Sequence, residues 1–151
     1  MISSEYLNHK TLKEGHYYPF NYVKCVTLED NNLYMILEDQ YGIRHFVEHE
    51  HYKNYNLSLN SVINCLVAKI NCTGRMYLEP EHPVYKIGGE YNFDLASSVQ
   101  TEDGLFLSVY DCFGNLLSVR TDDTTSEISD SQILAKVSDI KKGLPEITIV
   151  R

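Results

Sequence analysis

The chain has 151 residues, 43% hydrophobic and 23% charged, which excludes wholesale disorder and leaves room for one ordinary domain or two very small ones. Lys and Arg number 13 against 21 Asp and Glu, a net charge of −8, so general attraction to duplex phosphates and a polybasic membrane anchor are both excluded. Aromatic usage is uneven, with 12 Tyr, 5 Phe and no Trp.

In chain order, residues 1–14 form an N-terminal extension. Tyr18, Phe20 and Tyr22 then alternate with polar residues, which predicts a half-buried strand. Glu29-Asp30-Asn31-Asn32 is a polar turn. Leu33, Met35 and Leu37 alternate onto one face and predict a second strand with those three in the core. Asp39-Gln40-Tyr41-Gly42 reads as a hairpin loop closing on Gly, and Ile43–Val47 as the third strand. Glu48–Leu59 is an irregular connector with room for one helical turn. Val62–Asn71 is a fourth strand, Cys72-Thr73-Gly74 its turn and Arg75–Glu79 a fifth. Pro80-Glu81-His82-Pro83 ends that strand, because proline cannot donate to a ladder, and begins the linker to the residues that follow.

The pattern then recurs. Gly15-His16-Tyr17-Tyr18-Pro19-Phe20-Asn21-Tyr22 aligns with Gly88-Gly89-Glu90-Tyr91-Asn92-Phe93-Asp94-Leu95. Glu29-Asp30 aligns with Glu102-Asp103, and Leu33 to Gly42 with Leu105 to Gly114. Val67 and Ile70 before Gly74 are echoed by Val137 and Ile140 before Gly143. Glycines, acidic turns and apolar alternation keep register, so the chain reads as all-β, with an internal repeat giving domains over residues 15–87 and 88–151. Thr121–Ser131 is the polar counterpart of the first connector. Gln132–Asp139 and Leu144–Val150 are the last two strands, with Pro145 tolerable only at a sheet edge.

The start, Met1-Ile2-Ser3-Ser4-Glu5-Tyr6, lacks a basic segment followed by an apolar run, and no stretch approaches a membrane span. Cys25, Cys65, Cys72 and Cys112 form no Cys-x-x-Cys pair, and the expectation is reduced thiols in a cytoplasmic protein.

Three strands, a short connector and a two-strand hairpin resemble the OB-fold order. Tyr34-x-x-Leu37-x-Asp39-x-x-Gly42 is similar to the Asp-x-x-Gly hairpin of OB nucleic-acid binders, and Val62-x4-Val67-x-x-Ile70-x3-Gly74-x-x-Tyr77 to the opening hairpin of RNA-binding barrels. The two place the hairpin differently in a barrel, and the repeat favours the first. The resemblance implies two tandem five-stranded OB-like barrels, a fold that binds oligonucleotides, oligosaccharides or proteins.

In such a barrel the ligand crosses the outer face of the second and third strands. Alternation places Tyr34, Ile36 and Glu38 outside, with Arg44 and Phe46, while His45 and Val47 point inward. Tyr34, Arg44, Phe46, Lys69, Arg75 and Tyr77 are therefore the candidate nucleic-acid-binding residues. Tyr34 and Phe46 could instead pack under the connector or against the other copy. Residues 1–87 carry 8 basic and 10 acidic side chains, and residues 88–151 carry 5 and 11. A single-stranded nucleic-acid site, RNA favoured, is expected on the first copy. The alternative is a protein-interaction module using strand edges and the acidic second copy.

His45-x3-His49-x-His51 with Glu48 and Glu50 is the densest set of metal-ligand types. On a strand, residues four apart lie roughly 13 Å from each other, so no metal site is expected. Glycine-rich phosphate loops, nucleophile elbows and dinucleotide fingerprints are lacking, so neither a cofactor nor an enzymatic activity is expected.

Overall fold

The computed structural model describes residues 12–121 and 131–150. The 1–11 part of the extension and most of the expected Thr121–Ser131 connector lie outside the described residues. The chain is all-β and divides after Glu81 into two units, each built on a five-stranded antiparallel sheet. No helix among the described residues is long and apolar enough to cross a membrane.

In the first unit the strands are β1 (Tyr17–Thr27), β2 (Leu33–Glu38), β3 (Arg44–Glu48), β4 (Val62–Ile70) and β5 (Met76–Pro80), with a short 3-10 helix, Glu50–Tyr55, between β3 and β4. Their order across the sheet is β3-β2-β1-β4-β5. Strand β1 serves two neighbours: Tyr17–Asn21 pair with β4, and Asn21–Thr27 with β2. An extra residue at Val23, between Tyr22 and Lys24, makes the change of partner possible, because a bulge bends a strand and raises its twist. Phe20, Met35, Leu37, Val47, Ile63, Cys65, Val67 and Leu78 are buried. Each such large apolar side chain contributes about 1.5–3 kcal/mol by leaving water.

The second unit holds β6 (Glu90–Thr101), β7 (Gly104–Tyr110), β8 (Leu116–Thr121), β9 (Gln132–Lys141) and β10 (Leu144–Ile149), in the order β10-β9-β6-β7-β8. Its edge strands β8 and β10 approach each other, so the sheet curls toward a closed barrel. The core is Tyr85, Phe93, Val109, Leu117, Ala135, Val137 and Ile140, with Leu105, Leu107 and Val119 beside it. Pro145 lies on β10, an edge strand, where its missing N–H costs no ladder bond to a further neighbour.

The repeat extends to backbone irregularities that hydrophobic patterning does not reveal. The Val23 bulge recurs at Ala96, between Leu95 and Ser97. The bulge at Ala68 on β4 recurs at Ser138 on β9. A clasp precedes each copy: the Tyr18 hydroxyl accepts the Lys13 N–H at 3.0 Å, and the Tyr91 hydroxyl accepts the Lys86 N–H at 2.8 Å. Next to it, Gly15 donates to the Val67 carbonyl at 2.8 Å and Gly88 to the Val137 carbonyl at 2.7 Å.

Three local expectations are corrected. Leu33, expected in the core, is 41% exposed, because it opens β2 beside the Leu28–Asn32 loop. Ile36, expected outside, is only 8% exposed, because Lys24 on β1 and Phe46 on β3 stand opposite it and shade it from water. Glu29-Asp30 and Glu102-Asp103 do not occupy matching turns. The first lies in a longer loop with Asn31 at φ 64°, whereas Glu102-Asp103 is a two-residue hairpin between the paired Thr101 and Gly104.

Candidate functional site

The hairpins that carry the candidate residues share one piece of turn chemistry. Asp39 is buried, and its Oδ1 accepts the N–H groups of Tyr41 at 2.9 Å and Ile43 at 3.0 Å. Asp111 does the same for Phe113 at 2.9 Å and Asn115 at 2.8 Å. Asn71 repeats it on the β4–β5 hairpin, its Oδ1 accepting the N–H groups of Thr73 at 3.0 Å and Arg75 at 2.8 Å. In each case the fourth residue is a glycine with positive φ: Gly42 at 80°, Gly114 at 83° and Gly74 at 85°. A short acceptor at the first position and Gly at the fourth thus close each turn locally. Asn71 in this role was not singled out from the sequence, although Asn71-Cys72-Thr73-Gly74 has the same Asx-x-x-Gly spacing.

The outer face of β1, β2 and β3 is laid out in cross-strand rows. Asn21, Glu38 and Arg44 form one, Lys24, Ile36 and Phe46 the middle one, and Val26, Tyr34 and Glu48 the third. Phe46 is 47% exposed and meets Tyr34 edge-on, with ring centroids 6.4 Å apart. The Tyr34 hydroxyl donates to Asp30 at 2.6 Å. That bond raises the Tyr34 phenol and, with the Asn32 backbone N–H, lowers the Asp30 carboxyl. Arg44 Nε lies 3.4 Å from Glu38, directly across the strand pair, and His51 Nε2 lies 3.0 Å from Glu48. Carboxylates paired with Arg44 and with the His51 ring thus flank an aromatic centre. Lys24 belongs to this face but escaped the sequence reading, because the Val23 bulge shifts the alternation begun by Tyr18, Phe20 and Tyr22.

The other three candidates sit together on the β4–β5 hairpin. Lys69 stands directly opposite Tyr77. Tyr77 is 44% exposed, and the Arg75 guanidinium lies 5.1 Å from its ring centroid, within cation–π range. Among the described residues no carboxylate lies within ion-pair distance of Lys69 or Arg75. The candidates thus resolve into two stations: Tyr34, Phe46 and the Glu38-paired Arg44 on β2–β3, and Lys69 and Arg75 beside Tyr77 on β4–β5, where the Glu14 carboxylate accepts the N–H of the neighbouring Ile70 at 2.8 Å.

The histidines take separate partners. His45 points inward, its Nε2 2.9 Å from Asp39 and its ring edge-on to Phe20. His51 faces Glu48. Among the described residues no three metal-ligating side chains converge. Cys65 is buried, which pushes its thiol well above the ordinary range, and the buried Tyr52 of the 3-10 helix donates to the buried Glu79 at 3.0 Å.

Comparison with known proteins gives no matching family model, no matching curated protein and no matching solved structure.

Proposed function

We propose that the first unit is a non-enzymatic OB-like module that binds single-stranded nucleic acid, RNA in preference, across the outer face of β2–β3 and the β4–β5 hairpin. The strand order β3-β2-β1-β4-β5, with β3 and β5 as the approaching edges, supports the OB-like reading. The observation that carries the reading is the hairpin station: Lys69 and Arg75 keep their charge for a ligand and flank an exposed tyrosine ring. A phosphate beside Lys69 and a base on Tyr77 or Phe46 use that combination. Stacking contributes about 1–3 kcal/mol per base and tolerates any sequence. The net charge of −8 is compatible with it, because stacking and a local cation pair do not need a basic surface overall. Fluorescence anisotropy with a labelled oligouridine tests the reading. Salt-sensitive binding supports it, and no binding at about 20 mM salt sinks it.

A second reading, a protein-interaction surface, draws on one observation. The Arg44–Glu38 and Glu48–His51 pairs set polar groups around the exposed Phe46 ring, as at the rim and centre of a protein interface. Affinity capture that returns a stoichiometric protein and no nucleic acid would favour it.

A further inference from the structure

The two units share their strand order and the places of two bulges, so the residues of the paired strands have counterparts in the second unit. On the hairpin, Lys69 opposite Tyr77 becomes Asp139 opposite Glu146, at the same place beside the same bulge. Arg75 becomes Leu144, the residue that closes the shorter turn. Of the two lysines at that hairpin, Lys141 lies 4.0 Å from Asp139 and 3.4 Å from Glu146, so its charge is answered by its own strands, and Lys142 sits at the turn with φ 51°. On the outer face the middle row Lys24, Ile36 and Phe46 becomes Ser97, Ser108 and Ser118. The aromatic and basic side chains of the hairpin and the middle row are thus replaced, whereas Tyr34 and Glu48 of the third row become Phe106 and Arg120.

Resting on the nucleic-acid reading above, we infer that the chain carries a single polyanion-binding face, that Lys69 and Tyr77 are its specificity-determining pair, and that the second unit rejects the same ligand through Asp139 and Glu146. The ligand class is a flexible phosphate polymer with planar bases. A polyanion without bases would use Lys69 and Arg75 but gain nothing from Tyr77. A phosphate near Lys69 meets an attractive charge and an uncharged ring, and the same phosphate at the second hairpin meets two carboxylates within one cross-strand pair. The same scaffold thus presents opposite electrostatics at one position, which is how closely related surfaces reject a ligand as well as accept it.

The test uses the full chain, fluorescein-labelled oligouridine of about 12 nucleotides, and unlabelled heparin as the base-free polyanion. Wild type is expected to bind one equivalent of the oligonucleotide. The K69D/Y77E variant should bind at least about tenfold more weakly, since it loses a stacked base and a phosphate contact. Lys69→Ala alone should lower the log–log salt slope by about 0.7, the share of one single-strand phosphate contact. The graft D139K/L144R/E146Y, all at exposed or half-exposed positions, should add a second equivalent. Tyr77→Ala should weaken oligouridine and leave heparin unchanged. If wild type binds but K69D/Y77E binds equally well, or the graft adds no equivalent, the assignment of specificity to the hairpin is overturned while nucleic-acid binding stands. Two equivalents on wild type overturn the single-face inference. No binding by wild type overturns both.

Discussion

Removing the Asp39 carboxylate is the sharpest test of how the candidate face is held. Its oxygens accept two backbone N–H groups on the β2–β3 hairpin, at 2.9 and 3.0 Å, and meet His45 Nε2 at 2.9 Å. Tyr41 and Ile43 are exposed, so water replaces the acceptor for their N–H groups, and each of those bonds is assigned about 1–1.5 kcal/mol, just below the charge-assisted range. His45 has a side chain only 10% exposed, so losing its partner adds about 1–2 kcal/mol. Asp39→Ala should therefore cost about 3–5 kcal/mol, a large share of the stability of a unit this small. Asp39→Asn keeps an acceptor for both N–H groups and should cost about half as much. Asp111→Ala should cost less than Asp39→Ala, because its third partner is the half-buried Asn115 amide at 3.0 Å, not an inward-facing histidine. Urea titration followed by far-UV circular dichroism gives the midpoints, with phenylalanine-region near-UV signals and tyrosine fluorescence as second probes. An Asp39→Ala midpoint within about 0.5 kcal/mol of wild type, or an Asn variant as unstable as the Ala variant, refutes the accounting.

Other outcomes follow from single side chains. Phe46→Ala should leave the urea midpoint within about 2 kcal/mol of wild type, since the edge contact with Tyr34 and part of the cover over Ile36 are lost, yet weaken oligouridine binding roughly 5- to 150-fold; equal effects on both would place Phe46 in the fold instead of the site. Phe20→Ala and Phe93→Ala, each removing a ring 1% exposed at the same repeat position, should each cost about 3–5 kcal/mol by calorimetry or urea, and a small loss at either would refute their core roles. His82 is held below the ordinary histidine value by burial, with Asp111 opposing, and its Nδ1 accepts the N–H groups of Val84 at 3.0 Å and Tyr85 at 3.1 Å. The unfolded chain then binds the proton more readily, so this contribution is complete above about pH 6.5 and declines as the pH falls below it. His82→Gln should flatten the fall in urea midpoint between about pH 7.5 and pH 5.5, and unchanged slopes would count against it. Tyr52→Phe should cost about 1–3 kcal/mol by removing the hydroxyl bonded to buried Glu79.

Much of the architecture was legible because it is written in period-two alternation and in glycines at fixed offsets. Phe20 and Phe93, Leu37 and Val109, and Val47 and Val119 fall inside on alternation alone. Alternation failed where geometry overrides it. The Val23 bulge turned Lys24 outward, and the central position of β2 in its row covered Ile36. The outward places of Arg44 and Phe46 were readable, but the Glu38 partner that neutralises Arg44 was not weighed, although it stands directly opposite once the hairpin register is set. The three-serine row was also hidden, because Ser97, Ser108 and Ser118 gain meaning only when the strands are paired.

The clasps ahead of β1 and β6 decide where this chain can be cut. Tyr85 is in the core of the second unit, against Phe93 with ring centroids 5.3 Å apart, and its hydroxyl accepts the Cys112 N–H at 2.8 Å. His82 lies 4.7 Å from that ring on another side. A fragment begun at Gly88 would leave both behind, together with Lys86, whose N–H meets Tyr91. It would expose the end of its own core. A fragment begun at His82 carries its own stopper. The proline-flanked stretch that looks like a tether in the sequence is, for the unit that follows it, the first piece of the fold.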